Sequence, residues 1–93
     1  MTPNGAPPTA TFGVLVEVHL RPGIADPEGA TIERALPALG FAGVHGVRSG
    51  KSFRFEVEAA DEGEAARRAG DLADRLLANP VIEEASVSIV GGG

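Results

Sequence analysis

The sequence contains no cysteine, tryptophan or tyrosine, and its only aromatic residues are four phenylalanines. The absence of cysteine excludes disulfide bonds, thiolate metal ligands and a thiol nucleophile. With so few aromatic side chains, the core has to be built from valine, leucine, isoleucine and alanine. No apolar run approaches the ~20 residues that a transmembrane helix needs. The opening MTPNGAPPTAT lacks the basic and apolar regions of a signal peptide, so we expect a cytoplasmic protein.

The chain is acidic, with a formal net charge of −5 at pH 7 and a pI near 4.9. Such a surface repels phosphates on average, which argues against a nucleic-acid partner. The length of 93 residues leaves room for one domain. We expect this domain at residues 12–90, preceded by a disordered tail at 1–11 and followed by a flexible glycine end at 91–93.

The stretch VLVEVHLRPGIADPEG predicts a strand, a turn and a helix start in succession. Apolar and polar residues alternate in its first half, as in a half-buried strand, and we place this strand at residues 12–20. Asp26 and Pro27 are residue types preferred at the N-cap and the first position of a helix. We place the helix at residues 27–39, with an apolar stripe that would face a sheet: Ala30, Ile32, Ala35, Leu36 and Leu39.

The next segment is typical of a β-hairpin. An extended run containing Val44 and Val47 leads into a Ser-Gly-Lys turn at 49–51, and an alternating strand, SFRFEVE, follows. One face of that strand is apolar and would be buried: Phe53, Phe55 and Val57.

A second helix begins at Asp61, which forms a capping box with Glu64. The helix ends at Asn79-Pro80, because the residue before proline is disfavoured in a helix. The last strand lies at about residues 81–90. The resulting order, β-α-β-β-α-β, predicts an α+β, ferredoxin-like fold: a four-stranded antiparallel sheet with both helices on one face.

The residues show no catalytic constellation. His19 and His45 are not spaced as metal ligands, and the Gly-Lys-Ser sequence neither has the spacing of a phosphate-binding loop nor leads into a helix. Arg48, Lys51 and Arg54 place three positive charges around one predicted turn. This arrangement fits either a solvated hairpin or a contact for an acidic partner surface or a phosphate.

Four segments carry a resemblance to a known family. They are VEVHLRPGIADPEG at 16–29, Leu-Gly-Phe at 39–41 with VHGVRSGK at 44–51, the alternating strand after it, and LLANPVIEEASVSI at 76–89. Together they resemble the PurS subunits of bacterial and archaeal phosphoribosylformylglycinamidine synthase, over about residues 13–90. Arg21 stands where lysine is common in that family and Ala85 where an aromatic residue is often seen.

The resemblance implies a subunit that holds no catalytic residues and binds no cofactor itself. The family's complex converts formylglycinamide ribonucleotide, glutamine and ATP to formylglycinamidine ribonucleotide in purine biosynthesis. A PurL-type synthetase subunit would use ATP and Mg, and a PurQ-type glutaminase subunit would release ammonia. The small subunit would form a homodimer or higher assembly and join the other subunits, with no membrane or nucleic-acid partner.

Two groups of residues follow as candidates. The predicted partner interface consists of Arg48, Gly50, Lys51 and Arg54. The predicted structural motif consists of Asp26, Pro27, Gly29, Asn79 and Pro80.

The main alternative is an ACT-like regulatory module, which has the same element order and binds amino acids at dimer interfaces. An RNA-recognition domain needs exposed aromatics on its sheet, whereas the phenylalanines here belong to the predicted core. An acylphosphatase-like enzyme needs a phosphate-cradling loop after the first strand, and this loop is sparse.

Overall fold

A computed structural model describes residues 9–92. These residues form three strands, β1 (Ala10–Leu20), β2 (Gly50–Ala59) and β3 (Glu83–Gly92), and two α-helices, α1 (Pro27–Ala35) and α2 (Glu62–Leu72). A 3-10 turn at Pro37–Leu39 follows α1, and a π-helical turn at Ala73–Leu77 continues α2. The predicted α+β class, with two helices and an antiparallel sheet, is confirmed. None of the described helices is both long and apolar enough to cross a membrane.

The first strand begins two residues earlier than predicted, and the last strand, predicted at residues 81–90, is shifted by two residues towards the C-terminus. Most of the predicted tail, residues 1–8, lies outside the described residues, as does Gly93. Ala10 and Thr11 belong to β1, and β3 continues as far as Gly92.

β1 is the central strand of the sheet, whose order is β2-β1-β3 with both pairs antiparallel. Its register places Val16 opposite Phe53 on β2 and opposite Val87 on β3. The alternation predicted for β1 is confirmed, because Val14, Val16 and Val18 are at most 2% exposed. These valines form the centre of the core.

α2 covers one face of the sheet. Its buried alanines, together with the first residue of the π-helical turn, pack against the valines of β1 and against Phe12: Ala65, Ala69 and Ala73. Such small side chains let a helix approach a sheet closely. Phe53 and Phe55 on β2 stay only half-buried beneath this single helix.

The ends of α2 follow from local hydrogen bonds. Asp61 Oδ1 accepts from the Glu64 amide at 2.8 Å, and Glu64 Oε1 accepts from the Ala60 amide at 2.7 Å, which is the predicted capping box. At the other end, the Ala78 amide donates to the Ala73 carbonyl at 2.8 Å and closes the π-helical turn.

The predicted fourth strand is not formed among the described residues. Residues 41–49, which contain Val44 and Val47, have no strand partner. Gly43 and Gly46 adopt φ of +84° and +72°, which interrupts any extended run. The Val47 amide donates to Glu33 Oε1 and the Ser49 amide to Asp26 Oδ2, so both bind α1 side chains instead of a neighbouring strand.

α1 does not pack on the sheet as predicted. It makes no substantial contact with any strand, and its only buried residue is Gly29. Two members of its predicted apolar stripe, Ile32 and Leu39, are 45% and 69% exposed. The segment from residue 21 to residue 49, which we call the arm, therefore leaves most of its apolar side chains uncovered.

Truncating the core at its centre should destabilise the fold. We expect Val16→Ala to lower the free energy of unfolding by about 2 kcal/mol, because it removes buried methyl groups and leaves a cavity. Urea unfolding followed by far-UV circular dichroism measures this effect in a chain that lacks tryptophan and tyrosine. Ser88→Ala, on the exposed face of β3, is the control, and equal midpoints for the two variants would contradict the packing described above.

Candidate functional site at the base of the arm

The two ends of the arm meet at the carboxylate of Asp26, the N-cap of α1. Asp26 Oδ1 accepts hydrogen bonds from the Gly29 amide at 2.9 Å and from Ser49 Oγ at 2.7 Å. Its Oδ2 accepts from the Ser49 amide at 2.7 Å and lies 4.0 Å from Arg48 Nε. One side chain thus caps a helix and anchors the segment that returns to the sheet. We call this cluster (Asp26, Gly29, Arg48 and Ser49) the junction.

These contacts change the acidity of Asp26. Hydrogen bonds from the Gly29 amide, the Ser49 hydroxyl and the Ser49 amide lower its pKa from 3.8 to about 2, and Arg48 acts in the same direction. Its side chain is only 6% exposed. The junction therefore depends on an ionised carboxylate.

Pro27 and Gly29 fit the junction sterically. Pro27 stands in the first turn of α1, where a missing amide hydrogen costs nothing. A Cβ at Gly29 would lie 2.6 Å from Asp26 Oδ2 and 2.6 Å from the Val47 carbonyl oxygen. Only glycine allows α1 and the returning segment to approach this closely.

Asn79 and Pro80 lie in a turn that is fixed to the end of β1. Asn79 Oδ1 accepts from the Val81 amide at 3.1 Å, and the Asn79 amide donates to Glu83 Oε1 at 2.7 Å. Arg21 Nε donates to the Pro80 carbonyl at 3.0 Å, and Arg21 Nη1 lies 3.8 Å from Glu84 Oε2. This turn connects the end of α2 to the start of β3.

The predicted interface residues do not form a single patch. Lys51 lies on the helix-bearing face, with its Nζ 3.9 Å from Glu83 Oε2 and 5.9 Å from the centre of the Phe53 ring. Arg54 lies on the opposite face, since it pairs with Leu15 and alternates with Phe53. Arg48 belongs to the junction, and about half of its side chain is exposed.

Gly50 is the first residue of β2 and not the turn of a hairpin. A Cβ there would lie 2.7 Å from the Val18 carbonyl oxygen, so the close approach of β2 to β1 accounts for this glycine.

An open depression of about 340 Å³ lies beside the junction, between β1 and the start of β2. Its lining is mixed in charge: Glu17, Val18, His19, Arg48, Ser49, Gly50, Lys51 and Ser52. Among residues 9–92, no three histidine, aspartate or glutamate side chains converge in a way that could hold a metal ion. The lining side chains carry charges of both signs and hydrogen-bonding groups, and such a lining is suited to contact with another protein surface.

Three side chains that contribute to this end of the molecule were not predicted from the sequence. Glu33 binds the Val47 amide at 2.9 Å, Ser49 binds Asp26, and Arg21 holds the turn at Pro80. Of these three side chains, only Arg21 could have been singled out from the sequence, because it stands where lysine is common in the resembled family. The partners of Glu33 and Ser49 lie 14 and 23 residues away along the chain, beyond any local pattern.

Comparison with known proteins agrees with the resemblance found in the sequence. The PurS family profile, described as phosphoribosylformylglycinamidine (FGAM) synthase, matches residues 13–91. A phosphoribosylformylglycinamidine synthase subunit PurS from Archaeoglobus fulgidus is 43% identical over 72 residues, which are 77% of this chain and 90% of the relative.

Solved structures show the same likeness. The crystal structure of the PurS subunit from Thermotoga maritima superposes with a TM-score of 0.80 at 36% identity, covering 86% of this chain and 92% of that one. A chain in the structure of PurLQS from Thermotoga maritima gives a TM-score of 0.79 at 36% identity, covering 86% and 98%.

The junction should weaken in acid. Because the pKa of Asp26 in the folded state, about 2, lies below its ordinary value of 3.8, the ionised carboxylate stabilises the fold above about pH 4. That stabilisation is lost as the pH falls from 3.8 towards 2. We expect Asp26→Asn to be less stable than the parent at neutral pH, with a difference that shrinks over this acid range.

Urea midpoints measured from neutral pH down to about pH 2 test this expectation. Asp74→Asn, at an exposed position of the π-helical turn, shows whether any aspartate-to-asparagine change has the same effect. A stability gap for Asp26→Asn that stays constant into the acid range would show that the charge of Asp26 does not hold the junction.

Proposed function

This chain belongs to the PurS family of phosphoribosylformylglycinamidine synthase subunits, and we propose from that membership that it is a non-catalytic subunit joining a glutaminase to a synthetase. The observation that carries the proposal is the superposition on a chain of PurLQS over 98% of that chain's length. Membership in this family favours the proposal over an ACT-like ligand-binding module.

In the proposed reaction, the assembled enzyme converts formylglycinamide ribonucleotide, glutamine and ATP to formylglycinamidine ribonucleotide. A PurL-type synthetase subunit binds ATP and Mg and activates the substrate, and a PurQ-type glutaminase subunit releases ammonia from glutamine. This chain has no cysteine, so a glutaminase nucleophile of the thiol type must come from the partner.

The contribution of this chain is geometric. Ammonia released into bulk water at neutral pH is diluted and protonated, and the ammonium ion is not a nucleophile. Holding the two active sites in fixed register makes the transfer effectively intramolecular, which can replace a very high concentration of free ammonia. A small domain suits this role when it presents several separate surfaces.

The arm offers one such surface. It exposes large apolar side chains that the other described residues leave uncovered: Ile32, Leu39, Phe41 and Val44. At its base, Arg48 and Lys51 are each about half exposed and carry positive charge in an otherwise acidic protein. Apolar surface rimmed by charge is typical of a protein–protein contact. In this proposal the arm and its base contact the synthetase or the glutaminase, and the chain itself acts as a homodimer.

Glutamine-dependent turnover should require this chain far more than ammonia-dependent turnover does. The assay combines the matching synthetase and glutaminase subunits with and without this protein, fed either with glutamine or with free ammonia. We expect the protein to raise the glutamine-dependent rate many-fold and to leave the ammonia-dependent rate nearly unchanged. If neither rate responds, the proposed function is wrong.

Reversing one charge at the base of the arm should weaken assembly. We expect Lys51→Glu to reduce both binding to the partner subunits and glutamine-dependent turnover, because it replaces the positive charge at the proposed contact by a negative one. The same change removes the ion pair with Glu83. Lys51→Arg keeps the charge and should behave like the parent. Binding is measured by sedimentation with the partner subunits, after circular dichroism has shown that both variants are folded. Unchanged affinity and coupling in Lys51→Glu would remove Lys51 from the interface.

A further inference from the structure

The returning segment of the arm, residues 41–49, has little structure of its own. It contains no strand, and residues 41–46 are exposed. Gly43 and Gly46 adopt positive φ, with open space where a Cβ would stand. Glycine loses more conformational freedom on ordering than any other residue, so a segment of this kind stays mobile unless neighbouring groups hold it.

The segment is held along α1, to which it runs antiparallel. At its start, the Phe41 amide donates to the Leu36 carbonyl at 3.0 Å. At its end, Ser49 binds Asp26 in the junction. Between these two points, the Val47 amide donates to Glu33 Oε1 at 2.9 Å.

Val47 is fixed to α1 from both sides of its backbone. Its amide is bound by Glu33, and its carbonyl oxygen lies 2.6 Å from where a Cβ at Gly29 would stand. Gly29 thus permits the close approach, and Glu33 supplies the hydrogen bond that holds the segment there.

The stability of α1 does not account for Glu33. This residue lies in the last turn of the helix, where a negative charge interacts unfavourably with the helix dipole. It is half-buried, and among the described residues it forms no ion pair. Its contact with the Val47 amide is therefore the interaction that explains this side chain.

This contact joins two halves of the exposed apolar surface of the arm. Ile32 lies in α1 and Leu39 in the 3-10 turn, whereas Phe41 and Val44 lie in the returning segment. Holding Val47 against α1 restricts the position of the second half relative to the first. A surface that is ordered before binding avoids the conformational entropy cost of being ordered during binding.

We propose that Glu33 is a positioning residue, which pre-organises the arm for assembly with the synthetase and glutaminase subunits by binding the Val47 amide. The proposal rests on the proposed function above and adds to it the side chain that keeps the contact surface in one conformation.

Amide hydrogen exchange in the free chain, followed by NMR, tests the contact itself. We expect Glu33→Ala to speed exchange of the Val47 amide by roughly tenfold or more, because that amide loses its hydrogen bond to a charged group. Exchange in β1 should stay the same, since α1 makes no substantial contact with any strand. Alanine is a good helix former, so the substitution does not weaken α1. Equal exchange of the Val47 amide in the parent and in Glu33→Ala would overturn the proposal.

Titration of the whole chain into a fixed amount of the partner subunits tests the consequence for assembly. The glutamine-dependent rate gives two values, the half-saturating concentration of the chain and the rate at saturation. Glu33→Ala should raise the half-saturating concentration by roughly tenfold, because the arm then has to be ordered on binding. The rate at saturation should equal that of the parent. A lower rate at saturation with an unchanged half-saturating concentration excludes a pre-organising role.

Glu33→Gln separates positioning from direct contact with a partner. Glutamine keeps an acceptor oxygen for the Val47 amide but lacks the charge, so its half-saturating concentration should be close to that of the parent. If Glu33→Gln is as weak as Glu33→Ala, a partner recognises the charge and the proposal is wrong. Glu62→Ala removes an exposed carboxylate from the first turn of α2, outside the arm, and is the matched control that should behave like the parent.

The same titration separates failure of this inference from failure of the proposed function. A parent chain that raises the glutamine-dependent rate, with the same half-saturating concentration as Glu33→Ala, excludes pre-organisation by Glu33 and leaves the subunit role intact. A parent chain that leaves the rate unchanged at every concentration excludes the subunit role and the assembly role of Glu33 with it. Hydrogen exchange at Val47 would still show in that case whether Glu33 orders the returning segment.

Discussion

The arrangement of the arm depends on the hydrogen bonds that the Asp26 carboxylate accepts. This carboxylate caps α1 and binds both the amide and the hydroxyl of Ser49, 23 residues further along the chain. Backbone donors that a hairpin would use for strand pairing are therefore directed to α1 side chains, and residues 41–49 stay beside α1 instead of joining the sheet. The depressed pKa of Asp26 reflects the same contacts, because each hydrogen bond that draws the returning segment inward also favours the charged form.

Two features of the sheet follow from that constraint. With α1 held in the arm, α2 is the only helix of residues 9–92 that covers the sheet, so Phe53 and Phe55 remain half-buried although they lie on the core side. With residues 41–49 held in the arm, no strand among residues 9–92 pairs with the outer edge of β2. Among residues 9–92 the sheet therefore has one helix and one strand fewer than the ferredoxin-like pattern, and part of its core-side face stays accessible to solvent.

Patterns in the sequence predict those parts of this fold that are determined by contacts between residues close together in the chain. The alternation of β1, the N-cap at Asp61 with its capping box to Glu64, and the end of the second helix before Asn79-Pro80 all involve neighbours within a few residues. The hairpin prediction failed because Val44 and Val47 have strand-like composition, while the contacts that decide their conformation come from Glu33 and Asp26. The same long-range contacts hold Arg48 in the junction, whereas the alternation of side chains along β2 places Lys51 and Arg54 on opposite faces of the sheet.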